Sequence, residues 1–174
     1  MKVIHLRSPI TLALFATFVP ALPASADGTA AAQYRTGTLA VDVSGPDVSM
    51  QLRLPMTRAD ASSADKQNLT PAEVVARLKA ADRLFIFPEQ ARCQVENANA
   101  FAVDTQGKPT TADGNIQAMY RFHCEGATST RIGGTLGVKL FDSLPGLQKL
   151  KLQLATDKGE SAAELTPAAN DITL

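Results

Sequence analysis

Tryptophan is absent from this chain, and phenylalanine, tyrosine and tryptophan together make up 5% of its 174 residues. That scarcity argues against a stacking platform for bases or sugars, which needs exposed rings in series. An excess of charge is also missing: 17 Lys and Arg face 17 Asp and Glu. Neither nucleic acid nor an anionic membrane surface has an electrostatic handle here. Histidine occurs twice, as His5 and His123. Beyond the first 26 residues only His123 remains, so neither H-E-x-x-H nor any other two-histidine zinc site can be built there. Long apolar runs are lacking as well. The run at 10–19 is too short for a stable bilayer span, and none after it could stop transfer. Nucleophile elbows, P-loops and G-x-G-x-x-G turns do not occur, so the expectation is a non-enzymatic protein.

What is present begins with an address. Lys2 and Arg7 precede the 10–19 run, and Ala24-Ser25-Ala26 supplies the small residues a signal peptidase cuts after. The expectation is a signal peptide over 1–26, a periplasmic destination, and no membrane insertion once it is cleaved. A flexible leader follows over 27–35, and one domain over 36–174. Loss of Lys2 and Arg7 leaves the acidic residues in slight excess.

Cys93 and Cys124 are the two cysteines. In an oxidising envelope they are expected to form a disulfide, whereas a reducing cytosol would leave buried thiols. Closing a loop of about 32 residues stabilises a fold by roughly 3 to 4 kcal/mol on the chain-entropy account. A metal site is the alternative, but no C-x-x-C unit exists and His123 is the only nearby imidazole.

Periodicity sets the fold class. Leu39, Val41 and Val43 alternate with Thr38, Ala40 and Asp42. After Ser44-Gly45-Pro46-Asp47 the alternation resumes at Val48, Met50, Leu52 and Leu54, which reads as a hairpin ended by Pro55. Residues 57–68 read as a polar loop. Thr70-Pro71-Ala72-Glu73 is a capping box opening a helix whose inner face is Val74, Val75, Leu78, Ala81 and Phe85, ending near Arg83. Glu73 and Arg77 sit four apart on its wet side. A strand runs through Cys93 and Val95 toward Val103, then a loop over 104–115. Ile116, Ala118, Tyr120, Phe122 and Cys124 share one face of the next strand, opposite Gln117, Met119, Arg121 and His123. Ile132, Leu136, Val138 and Leu140 repeat the signal. Leu144-Pro145-Gly146 turns the chain, and Leu150, Leu152 and Leu154 face inward. Asp157-Lys158-Gly159 makes a hairpin toward Ala163 and Leu165, and Ile172 and Leu174 finish the chain. The expected class is α+β: a mostly antiparallel sheet of roughly six to eight strands, one amphipathic helix packed on it, and one disulfide.

Chemistry-bearing candidates are sparse. His123 lies on the polar side of its strand, where a solvated or cross-strand-paired imidazole is the ordinary role. The sharper alternative makes it one ligand of a weak metal site completed by Asp104 or Asp113. Ser63-Ala64-Asp65-Lys66 matches S-x-x-K without its companion motifs. Gly133-Gly134-Thr135-Leu136-Gly137 suits a flexible strand or bulge better than a phosphate cradle.

Several stretches together resemble a known family. They are Phe87-Pro88, Ala91-Arg92-Cys93, Tyr120-Arg121-Phe122-His123-Cys124, Leu140-Phe141-Asp142-Ser143-Leu144-Pro145-Gly146-Leu147-Gln148-Lys149-Leu150, Gln153-Leu154 and Leu165-Thr166-Pro167. The series, over about residues 34–174, resembles the ZrgA-type zinc-uptake proteins of the Gram-negative periplasm. The resemblance implies a periplasmic partner in zinc acquisition that holds metal through histidine-rich segments after the signal and between the cysteine strands. Here 27–33 and 104–115 contain no histidine, Tyr34-Arg35 replaces a His-Gly pair, and the stretch after Pro55 lacks its usual histidine. Two roles compete: a module binding zinc or another divalent cation, and an interaction subunit of an envelope transporter without metal contact. Its expected partner is an inner-membrane transporter or another envelope protein.

Overall fold

Alternating side chains build the central sheet. The computed structural model describes residues 32–58, 69–104, 106–110, 114–126, 132 and 134–174. The expected signal over 1–26, residues 27–31 of the expected leader, Ser63-Ala64-Asp65-Lys66 and Asp113 lie outside the described residues. In chain order the elements are β1 (Ala32–Gln33), β2 (Thr36–Ser44), β3 (Asp47–Leu54), β4 (Thr57–Arg58), α1 (Pro71–Leu78), α2 (Ala81–Leu84) and β5 (Phe85–Ile86). A 3-10 turn (Glu89–Ala91) leads to β6 (Cys93–Val103), β7 (Asn115–Cys124), β8 (Thr135–Val138), α3 (Leu140–Ser143), β9 (Lys149–Thr156), β10 (Gly159–Leu165) and β11 (Asp171–Thr173). Six strands form the main sheet in the order β10-β9-β2-β3-β7-β6, and a small sheet has the order β11-β8-β5.

The β2–β3 hairpin forms where the alternation placed it, with Ser44 opposite Asp47. Gly45 takes φ +59° and Pro46 has its φ set by the ring, the pairing that suits a type II′ turn. The turn matches the twist of the two strands, so their apolar faces stay aligned. Leu39, Val41, Val48, Met50, Leu52 and Leu54 are all buried. Each such aliphatic side chain, fully buried, is worth about 1.5 to 3 kcal/mol. β7 joins the other side of β3 antiparallel, and its Ile116, Ala118, Tyr120, Phe122 and Cys124 extend the same apolar surface. The second layer covers that surface with α1, α2, α3 and the small sheet. Phe85 of β5 packs edge-on against Tyr120 and Phe122, with ring centroids 4.9 and 5.9 Å apart.

The α+β class and the mostly antiparallel sheet stand as expected. Cys93 and Cys124 are register partners joined by a disulfide across β6 and β7. Four details differ from the expectations. The segments outnumber the roughly six to eight strands expected, because two-residue pairings such as β1 with β4 lie below the length at which alternation is readable. β2 pairs parallel with β9, a contact between distant parts of the chain that no short connection could signal. Residues 32–35 are not a free leader: Tyr34 is 2% exposed and belongs to the core.

The single expected helix is the fourth difference: it is divided, and Leu140, expected to continue a strand, opens the further helix α3. Thr70 Oγ1 accepts from Glu73 N at 3.3 Å and Glu73 Oε2 accepts from Thr70 N at 2.7 Å, so the capping box is present. Val74 and Leu78 are buried. The Tyr120 hydroxyl, however, donates to the Leu78 carbonyl at 2.9 Å, engaging the acceptor that a continuing helix would offer to Asp82. Ala80 leaves the helical region at φ −88° and ψ 61°, Ala81 restarts in α2, and Phe85 enters a strand. Arg77 does not pair with Glu73. Its Nη1 donates to the Ser143 carbonyl at 2.7 Å, tying α1 to the end of α3.

Candidate functional site

Among the described residues, one face of the six-stranded sheet is covered and the other is open. Pairing across the strands arranges the open face in rows, because opposed residues in a ladder share a face. One row runs Ala162, Gln153, Ala40, Gln51, Met119, Asn99 from β10 to β6. The next runs Glu160, Ala155, Asp42, Ser49, Arg121, Asn97. Small side chains at Ala40, Ala155, Ser49 and Ala162 lower the floor between longer neighbours. The result is a groove of about 830 Å³ that crosses the strands. Met119 is 44% exposed within it. Asn99 Nδ2 donates to Asn97 Oδ1 at 2.7 Å, and Arg53 Nη2 donates to Gln51 Oε1 at 3.3 Å. The groove therefore presents amides, one methionine, a guanidinium toward β7, and carboxylates on β2 and β10.

His123 lies beyond one side of this groove, one row further along β7. Its register partner is Asp47 at the hairpin, and Nδ1 lies 2.8 Å from Asp47 Oδ1 with the side chains 44% and 58% exposed. An ionised carboxylate only accepts, so Nδ1 carries the proton and the neutral ring keeps its lone pair on Nε2. The hydrogen bond to Asp47 raises the imidazole pKa above its ordinary value; desolvation opposes it, and the charges of Asp47, Glu96 and Glu125 add smaller support. Glu96 is there because of a bulge: the β6 register skips it between Val95 and Asn97.

Asp104 is not near His123. It follows Val103, which pairs with Asn115, whereas Gln94 pairs with His123. The two ends of this ladder are about 26 Å apart at strand rise. Asp104 Oδ1 accepts from the backbone N–H groups of Gln106 and Lys108 at 2.8 and 2.9 Å, so its role is to shape its own loop. Among the described residues, no group of three or more His, Cys, Asp or Glu is disposed to hold a metal ion. Both cysteines are engaged in the disulfide. The carboxylate that orients His123 is thus Asp47, and sequence reasoning did not pair them. They come together only through the β3–β7 register. The groove was equally unmarked, although Met119 and Arg121 were already placed on the polar side of β7.

Among the described residues no helix is long and apolar enough to cross a membrane. A search of curated proteins finds no match to the chain. A family model described as "ZrgA family zinc uptake protein" matches residues 31–174. That span takes in every element of both sheets, the disulfide and the His123–Asp47 pair, and the chain accordingly belongs to the ZrgA family of zinc uptake proteins.

Proposed function

We propose that the protein is an exported, non-enzymatic accessory of zinc uptake that works in the periplasm and binds a divalent cation weakly through His123. The family match over 31–174 carries this reading. The signal-like start and the disulfide support export. Asp47 supports the metal role, because a carboxylate that holds one imidazole nitrogen orients the other as a ligand. The raised imidazole pKa makes protons compete with metal, so affinity falls as the solution is acidified. Calorimetry of zinc with the signal-free chain tests the proposal. The expected result is micromolar or weaker binding that His123→Ala removes, and absence of zinc heat removes the metal role.

The groove favours a second reading, in which the protein is an interaction subunit of an envelope transporter without direct metal contact. A photo-crosslinker at Met119 in zinc-starved cells is expected to capture a transporter subunit. Capture of none would discard this reading.

A further inference from the structure

We propose that the groove on the open face of the main sheet binds an extended peptide segment of a partner protein, laid across the strands with its basic end over Glu160 and Asp42 and its acidic end over Arg121. This rests on the interaction-subunit reading and supplies the class of partner. The groove spans the rows from β10 to β6, about 24 Å at normal strand spacing, which is the length of about seven extended residues. On the inner strands β9, β2, β3 and β7 the backbone groups are already paired within the ladders, so recognition there falls to side chains. Gln153, Gln51, Asn97 and Asn99 bring primary amides, and each carries both donor and acceptor, matching a peptide unit. Met119 adds a flexible apolar contact of the kind found on adaptable protein-binding surfaces. Tyr120 is the one aromatic residue lining the groove, and it is 2% exposed with its hydroxyl bonded to the Leu78 carbonyl in the core, so it offers no stacking surface, which favours a peptide over a glycan.

Charge fixes the direction. Arg121 stands on β7, Asp42 on β2 and Glu160 on β10, all exposed and in one row. Glu160 and Arg121 are four strands apart, about 19 Å, which equals about six residues of extended chain. An even separation puts both charges of the peptide on the face it turns to the groove.

A displayed library of random peptides of about twelve residues, selected on signal-free disulfide-bonded protein, tests this. Counter-selection uses Asp42→Lys/Arg121→Glu, whose circular dichroism and melting are first matched to wild type. The expected peptides carry a basic and an acidic residue about six positions apart. A synthetic one should lose about tenfold or more in affinity on Arg121→Glu and regain it when the peptide's acidic residue is replaced by lysine. Recovery of no peptide, peptides without the charge pair, unchanged binding to the double variant, or displacement by a linear oligosaccharide would each overturn the proposal. Failure here with Met119 crosslinks retained discards the groove alone. Peptide binding without such crosslinks discards the transporter role alone.

Discussion

His123 illustrates how a single residue acquires its properties from a neighbour distant in sequence. Its side chain is 44% exposed, and the hydrogen bond to the Asp47 carboxylate outweighs the opposing effect of desolvation. Because the folded-state pKa is raised, the pair's contribution to stability is fully present below the unfolded value near 6.5 and is lost as pH rises through the folded value. NMR titration of the ring is expected to give a midpoint above 6.5, and Asp47→Asn should bring it down. An unmoved midpoint would deny the hydrogen bond its role. Sequence alone shows His123 on a polar strand face. It cannot show Asp47, because the two lie 76 positions apart. Asp104 makes the opposite case: its short loop-capping bonds are local, yet its distance from His123 is a matter of strand register.

Elements were legible where a local signal coincided with burial. The first-turn chemistry of α1 was readable because Thr70, Pro71 and Glu73 act within one turn. Thr70→Ala is expected to destabilise the protein by about 1 kcal/mol in chemical denaturation. It should also raise the Glu73 carboxyl pKa, which Thr70's backbone N–H and side chain hold down. The far end of the helix was not readable, since the Leu78 carbonyl there is satisfied by a tyrosine hydroxyl from another strand. β6 was blurred for a different reason. The bulge at Glu96 shifts its inner face from Cys93 and Val95 to Ala98, Ala100 and Ala102, so a single period-two pattern does not run through it.

For the whole molecule, the disulfide pins β6 to β7 at one end of the main sheet, beside the second layer. Cys93→Ser and Cys124→Ser remove the same crosslink, and each should cost roughly 3 to 4 kcal/mol in reversible unfolding. Native oxidised protein should show no reactive thiol in a labelling assay, and two would refute the bond. The Cys124→Ser loss should be somewhat the larger, because its hydroxyl would enter a fully buried site while Cys93 is only partly buried. The sequence by itself determined the α+β class, the faces of β2, β3, β7 and β9, the hairpins and the helix start. Each follows from turn chemistry or from a period that couples neighbouring residues to burial. Tertiary structure decided the parallel β2–β9 contact, the break after α1, the His123–Asp47 pair and the rows that make the groove. These depend on which distant strands align and in what register, and local periodicity carries no information about alignment across the fold.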